Sequence, residues 1–192
     1  MAGVIPNGSF ELNSIWTVVS SGGMLNLTYS TEWSSTGSRS LRIERYTGTV
    51  TGGSYIGVQQ SLDLTGVTGF LFDAQDRGID TDPIQFLIDG VVVGQFSNNG
   101  WPGGAGSGWG HTAQTYDISI PLSTSYPGVH TLTIRYLIPN TYYPADGKIY
   151  WIDNIRAVGA DYDEGGVVPE PATWALFALG LAALLIARRI RG

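Results

Sequence analysis

Apolar and polar residues alternate in short stretches along most of the chain. In Arg39–Tyr46, Leu41 and Ile43 fall on one face and Arg42 and Glu44 on the other, which is the two-residue period of a half-buried strand. Turn residues separate such stretches at intervals of about eight to twelve residues, the spacing that is typical of a sandwich or barrel. The predicted strands lie at residues 39–46, 54–62, 67–74, 84–96, 114–121, 130–137 and 148–158.

The stretch Ile84–Phe96 predicts a hairpin. Asp89-Gly90 is a type I′ turn pair, and it stands between two apolar runs. About eight to ten strands joined by short turns require a largely antiparallel arrangement. We therefore expect an all-β fold, a jelly-roll β-sandwich of two packed sheets. An immunoglobulin-type sandwich is the alternative.

A different pattern begins at residue 172. Ala172–Ala187 contains no charged residue, and most of its residues favour a helix, so we predict a single C-terminal transmembrane helix. A bilayer core needs about 20 apolar residues, and this shorter run spans it with snorkelling or local thinning. Arg188, Arg189 and Arg191 follow at once, which predicts a cytoplasmic end and an external β domain. The alternative, a buried core helix, conflicts with the lack of a polar face.

The order of three features near the end of the chain carries a family resemblance. Val168 and the motif Pro169-Glu170-Pro171 come first, followed by the apolar run and the arginine-rich end. Together they resemble the PEP-CTERM sorting signal of exported proteins from Gram-negative bacteria that make extracellular polysaccharide. The resemblance implies recognition by an exosortase-type sorting protease, cleavage near the motif, and release or attachment at the cell surface.

Charge and composition refine this division of the chain. Residues 1–165 hold fifteen acidic and seven basic residues, a net charge of −8 within a chain total of −6. Such a domain repels a phosphate backbone, which argues against nucleic-acid binding, and suits calcium, cationic surfaces or neutral polysaccharide. The absence of cysteine excludes disulfides. We assign residues 1–158 to the β-sandwich, 159–168 to an acidic Gly-rich linker and 169–192 to the sorting signal.

The start of the chain raises a question about export. MAGVIPNGSFE contains no basic segment followed by an apolar run, which a secretory signal peptide requires. We infer that the chain was trimmed or that its start was miscalled.

Three short motifs resemble the galactose-binding-like jelly rolls, a group that contains many carbohydrate-binding modules. Pro6–Glu11 resembles their first strand, Thr36–Leu41 their Gly-x-x-Ser-Leu strand and Trp151–Ile155 their closing strand. The resemblance implies a structural calcium ion shared by Glu11 and Asp153, since calcium takes six to eight oxygen ligands. The alternative is that both carboxylates face solvent or cap turns.

Aromatic and amide side chains in two loops are candidate sugar ligands. Aromatic rings stack on the C–H faces of sugars, and amides bind hydroxyl groups, provided that they converge in a cleft. The alternative is that these rings pack across their loops or cover the edge of the sandwich. The candidates are Trp101, Trp109, Asn98, Asn99, Tyr142 and Tyr143.

Four aspartates lie close together in the segment LFDAQDRGIDTD. Their spacing departs from that of an EF-hand loop, and we expect a solvated loop at a strand end, partly neutralised by Arg77. These residues are Asp73, Asp76, Asp80 and Asp82.

The chain contains no sequence motif of a known catalytic or nucleotide-binding site. Neither a GxSxG elbow, a P-loop nor an HExxH pair occurs. We therefore predict that the protein is not an enzyme, and that it binds glycan or associates with itself in an exopolysaccharide layer. The alternatives are a dedicated carbohydrate-binding module and, from another class, a glycan-active hydrolase, whose carboxylate pair would meet only in three dimensions.

Overall fold

The computed structural model describes residues 5–12, 15–22, 25–46, 51–77, 82–97, 112–140 and 148–159. The chain divides into two units, Met1–Tyr162 and Asp163–Gly192, and all of these residues belong to the first. They form ten strands: β1 (Thr17–Ser21), β2 (Leu25–Ser30), β3 (Ser40–Arg45), β4 (Tyr55–Asp63), β5 (Val67–Arg77), β6 (Ile84–Ile88), β7 (Val91–Phe96), β8 (Thr112–Pro121), β9 (Val129–Leu137) and β10 (Lys148–Gly159).

The ten strands form two antiparallel sheets of five. The first sheet has the order β1-β4-β9-β6-β7, and the second has the order β2-β3-β10-β5-β8. Strands β3 to β10 pair in a nested way, β6 with β7, β5 with β8, β4 with β9 and β3 with β10. This nesting is the topology of a jelly roll, so the predicted fold class of the domain is confirmed and the immunoglobulin-type alternative is not.

The predicted hairpin is present. Strands β6 and β7 pair across a turn in which Asp89 has φ 49° and Gly90 has φ 81°. Positive φ at both central residues is what a type I′ turn requires, and it matches the right-handed twist of the flanking strands.

Aromatic and aliphatic side chains fill the space between the two sheets. Phe70 and Phe72 from β5 meet Phe86 from β6 across the interior, with ring centroids 6.0 and 4.9 Å apart. All three are fully buried, and each such side chain contributes about 1.5–3 kcal/mol by leaving water. The outward positions of the strands are therefore the ones available for function.

The predicted first strand, Pro6–Glu11, is not a strand. Asn7 and Phe10 have φ 55° and 57°, and the amide of Phe10 donates to the Asn7 carbonyl over 3.0 Å, so the segment forms a turn. It nevertheless lies against β10, because the amide of Ile155 donates to the Gly8 carbonyl over 2.9 Å. The expected proximity of the two chain segments is thus achieved without strand pairing.

Three of the four clustered aspartates, Asp73, Asp76 and Asp82, are buried and ion-paired, so the prediction of a solvated loop is wrong for them. Asp76 points inward from β5 and its Oδ2 lies 2.6 Å from Nζ of Lys148. Asp82 precedes β6, and its Oδ2 lies 2.9 Å from Nη1 of Arg45. Buried carboxylates need such partners, and sequence proximity to Arg77 does not supply them, since Arg77 is exposed.

Asp73 is also buried, and it stabilises two irregular positions in the second sheet. Its Oδ1 accepts from the backbone amide of Asp117 over 2.8 Å, and its Oδ2 accepts from Nδ2 of Asn154 over 2.9 Å. Asp117 and Asn154 both have φ 52°, where the register of β8 and of β10 against β5 shifts. The carboxylate thus secures two β-bulges, whereas Asp80 lies outside the described residues.

The predicted transmembrane helix at 172–187 lies outside the described residues. Within the ranges that the structure does describe, no helix is long and apolar enough to cross a membrane.

Candidate functional site

The outer face of the first sheet is built from the outward residues of β4 and β9. Along β9, Leu132 and Ile134 point into the core, and the residues between them, Thr131, Thr133 and Arg135, point outward. The same alternation in β4 places Gln59 outward, and Gln59 and Thr133 are direct cross-strand partners. Cross-strand neighbours on one face lie about 5 Å apart, so the polar side chains form a continuous surface.

An open cavity of about 330 Å³ lies at one end of this face. Hydroxyl and amide groups from β1, β4 and β9 provide most of its lining, and no charged residue lines it. A volume near 300 Å³ is at the lower end of the range for small-ligand sites. The lining residues are Pro6, Ile15, Thr17, Gln59, Gln60, Ser61 and Thr131.

Arg135 lies on the same face and is held in a fixed orientation. Its guanidinium carbon lies 4.7 Å from the centroid of the Tyr55 ring, a cation–π contact. Its Nε and Nη2 both donate to Oε1 of Gln85, over 3.1 and 3.0 Å. Gln85 is itself nearly buried on β6, beside Arg135 in the register. The planar guanidinium is therefore pre-positioned, which lowers the entropic cost of binding a ligand.

Gln59, Gln85 and Arg135 were not predicted from the sequence. The strand HTLTIRYL contained a signal, because its outward residues Thr131, Thr133 and Arg135 are all polar and able to hydrogen-bond. The sequence does not reveal the order of the strands in the sheet. β4, β6 and β9 come together only through the nested pairing.

Glu11 and Asp153 both accept hydrogen bonds from the loop that precedes β3. The Glu11 carboxylate accepts from the amides of Ser38 and Arg39, over 2.8 and 3.0 Å. Oδ2 of Asp153 accepts from the amides of Ser35 and Thr36, over 2.7 and 2.9 Å. The two carboxylates thus hold opposite ends of one short loop.

Gly37 lies between these two anchors and has φ 65°. A Cβ at this position would lie 2.2 Å from Oε1 of Glu11. The glycine is therefore required twice, for the left-handed backbone and for the close approach of the Glu11 carboxylate.

The electrostatics of Asp153 differ from those of an ordinary surface carboxylate. The residue has no exposed surface, and burial raises its pKa to about 6, although the amides of Thr36, Asn154 and Ser35 oppose the rise. Its Oδ1 is buried and accepts no hydrogen bond in the described part of the chain. A buried oxygen of this kind fits a hard cation such as calcium. No group of three or more His, Asp or Glu residues within the described ranges forms a metal site, so backbone oxygens would have to complete the coordination.

The other predicted site residues lie outside the described residues. They are the candidate ligand residues Asn98, Asn99, Trp101, Trp109, Tyr142 and Tyr143, and the sorting residues Pro169, Glu170, Pro171, Arg188, Arg189 and Arg191.

Comparison with known proteins confirms the sorting signal. Residues 167–191 match the PEP-CTERM protein-sorting motif. The motif implies a protein that is exported and targeted to the cell envelope. A search of the curated proteins gave no match.

The solved structures similar to this chain include carbohydrate-binding modules. TmCBM61 in complex with β-1,4-galactotriose is 11% identical, with a TM-score of 0.49, over 83% of this chain and 99% of that chain. The family 11 module of the cellulosomal cellulase Lic26A-Cel5E of Clostridium thermocellum is 21% identical, with a TM-score of 0.43, over 83% and 96%. A CBM36 module in complex with calcium and xylotriose is 15% identical, with a TM-score of 0.41, over 74% and 99%. At these levels of similarity, the ligands of those proteins carry no argument for this one.

Proposed function

We propose that this protein is an exosortase-sorted surface protein whose β domain binds extracellular polysaccharide without catalysis. The observation that supports this most directly is the polar outer face of β4 and β9, with its open cavity of about 330 Å³. In this proposal the apolar segment 172–187 anchors the chain in the inner membrane until an exosortase-type protease processes it near Pro169-Glu170-Pro171.

The chemistry of the face suits sugars better than other ligands. Sugar hydroxyls both donate and accept hydrogen bonds, as do the amide of Gln59 and the hydroxyls of Thr131 and Thr133. The segments Tyr55–Ser61 and Thr131–Arg135 contain no carboxylate, although the chain has a net charge of −6. A neutral or weakly acidic polysaccharide can therefore approach this face without repulsion from its central residues.

The proposal is tested by measuring polysaccharide binding to the purified full chain by affinity electrophoresis and calorimetry. We expect Gln59→Ala and Arg135→Ala each to weaken binding by about tenfold, the loss of one or two well-oriented hydrogen bonds. Gln114→Ala is the matched control, since it removes an exposed amide from β8 in the other sheet.

Three outcomes would contradict the proposal. Binding to no polysaccharide would remove it altogether, and unchanged binding in both variants would remove this face as the site. Loss of binding only in Trp101→Ala or Trp109→Ala would transfer the site to the Gly-rich loop that the sequence indicated.

A structural calcium ion is the second part of the proposal. Asp153 would supply the buried Oδ1, and Glu11 would supply a carboxylate oxygen from the opposite side of the same loop. The ion would neutralise a carboxylate that burial otherwise penalises, and would thereby stabilise the contact between the N-terminal segment and β10.

Self-association is a second candidate function, and one feature of β7 favours it. This strand is at the edge of the first sheet, and Val91 and Val92 are 64% and 44% exposed. An exposed apolar edge strand is a template for pairing with another chain. Sedimentation equilibrium distinguishes the two functions, because self-association predicts a concentration-dependent mass that Val92→Lys abolishes while polysaccharide binding remains.

A further inference from the structure

A buried lysine and a buried aspartate are in contact in the interior of the sandwich. The side chain of Lys148 has no exposed surface and that of Asp76 is 7% exposed, and Nζ lies 2.6 Å from Oδ2. The two residues come from β10 and β5, which pair directly in the second sheet. Their contact joins strands that are about 70 residues apart in sequence.

Tyr150 fixes the position of the amine. Its backbone is the direct partner of Asp76 in the register, and the centroid of its ring lies 4.7 Å from Nζ of Lys148. Lys148, Tyr150 and Asp76 all point into the core between the sheets, so the amine cannot move away into solvent as a surface lysine does. The carboxyl group of Asp76 is therefore held beside the nitrogen of Lys148.

A second buried ion pair lies next to the first. Arg45 is the backbone partner of Lys148, and it pairs with Asp82, which also accepts from the Tyr136 hydroxyl over 2.8 Å. Four charged side chains are thus removed from water in one region. Burying an ion pair is costly, and neutral groups of the same shape are often more stable in its place.

From this geometry we infer that Lys148 and Asp76 condense to an intramolecular amide. The ammonium first transfers a proton to the carboxylate, which leaves a neutral amine beside a neutral carboxylic acid. The lone pair of Nζ then attacks Cγ of Asp76, and the C–N bond forms. The C–O bond of the carboxyl hydroxyl breaks, and one further proton from nitrogen leaves with that oxygen as water. No oxidant or other reagent is consumed.

The site meets the physical conditions for this reaction. Two reactants held in a well-oriented contact can reach an effective concentration of about 10⁵–10⁸ M, which favours condensation within the chain. The low exposure of both groups excludes the water that would reverse the step. The product replaces two buried charges by a neutral amide, whereas the Arg45–Asp82 pair keeps its own charge balance.

The bond would have a clear use in this protein. The chain has no cysteine and cannot form a disulfide. Strand β10 is the last strand in the described part of the chain and precedes the sorting motif at 167–191. A covalent link from β10 to β5 would prevent the terminal strand from peeling away when the chain is pulled by its C-terminal attachment.

Intact mass spectrometry of the folded full chain tests the inference. We expect most molecules to be lighter than the sequence mass by one water, and a digest to contain a cross-linked peptide joining Lys148 to Asp76. Asp76→Asn should react in the same way with loss of one ammonia instead of water. A wild-type mass equal to the sequence mass would show that the pair is only a salt bridge.

Lys148→Arg is the control for other sources of the same mass change. Asp89-Gly90 can also lose one water, by cyclising to a succinimide, and that loss would persist in Lys148→Arg. If the water loss persists in this variant and the cross-linked peptide is missing from the wild type, the inference is overturned. Because the wild-type measurement decides on its own, failure of a variant to fold does not affect the test.

Discussion

Nδ1 of His130 lies 2.6 Å from Oδ2 of Asp89, and this contact joins the start of β9 to the β6–β7 turn. The other oxygen of Asp89 accepts from the amide of Thr131 over 2.9 Å. The hydrogen bond to Asp89 raises the pKa of His130, and the reciprocal bond lowers the pKa of Asp89.

We expect the pair of His130 and Asp89 to stabilise the folded state within a limited range of pH. The contribution of His130 is complete below its unfolded pKa of 6.5 and is lost as the pH rises through its raised folded pKa. The contribution of Asp89 is present above its unfolded pKa of 3.8 and is lost as the pH falls through its lowered folded pKa. The two contributions therefore overlap between pH 3.8 and 6.5.

Urea unfolding of the wild type and of Asp89→Asn measures this window. Asparagine keeps the left-handed turn but removes the charge, so the difference in free energy of unfolding should be larger at about pH 5.5 than at about pH 8.5. A difference that is the same at both pH values would show that Asp89 does not raise the pKa of His130.

Two of the groups that donate to the buried Asp82, the guanidinium of Arg45 and the hydroxyl of Tyr136, should contribute unequally to stability. Arg45→Met leaves a buried carboxylate without its counter-charge and should cost about 3–5 kcal/mol in the free energy of unfolding. Tyr136→Phe removes one hydrogen bond and should cost about 1–3 kcal/mol. Tyr116→Phe is the control, because Tyr116 is 54% exposed and, among the described residues, its hydroxyl donates to the exposed Gln114. Equal costs for the first two variants would mean that charge pairing adds nothing here.

Alanine substitutions at Gly37 and Gly66 distinguish the cost of backbone strain from the cost of a steric clash. Both have positive φ, 65° and 79°, but a Cβ at Gly66 would meet nothing within 4 Å. Gly66→Ala should therefore cost about 1–2 kcal/mol for the left-handed backbone alone. Gly37→Ala should cost more, because its Cβ would displace the Glu11 carboxylate.

The contact with Glu11 can be isolated by a double-mutant cycle. In the background of Glu11→Ala, the cost of Gly37→Ala should fall to that of Gly66→Ala, measured by chemical denaturation. A cost of Gly37→Ala that does not change in this background would show that Glu11 does not hold the loop.

Calcium should stabilise the wild-type domain near neutral pH through Asp153. Without a cation, the raised pKa of this residue means that its favourable contribution is complete below 3.8 and is lost as the pH rises through about 6. Adding calcium at pH 7 should raise the melting temperature, and a chelator should reverse the change. Asp153→Asn should abolish the response, whereas Asp63→Asn, which alters an exposed carboxylate, should retain it. Identical melting of the wild type with calcium and with chelator would remove the site.

Local patterns predicted much of the sheet structure. The hairpin at Asp89-Gly90 was predictable because turn chemistry depends on two adjacent residues. The strands of the core were predictable because burial on one face imposes a period of two. Strands β1 and β2, both at sheet edges, were not predicted. β1 is mostly exposed and shows no clear alternation, whereas β2 (LNLTYS) does alternate and was overlooked.

The residues of the candidate site were harder to predict from the sequence than the strands were. Glu11 and Asp153 were identified through a family resemblance, and the structure shows that both hold the loop before β3. Gln59, Gln85 and Arg135 come from three strands whose adjacency depends on the order β4-β9-β6. No local pattern specifies that order, because each strand satisfies its own alternation regardless of its neighbours.

The amino-acid sequence by itself determined the all-β class, the hairpin turn and the sorting motif, since each depends on composition, periodicity or a contiguous set of residues. Only the tertiary structure decided which aspartates are buried, which cations pair with them and which polar side chains share one face. Charge pairing and burial depend on distances between strands that are far apart in the chain, and those distances exist only after the two sheets have packed.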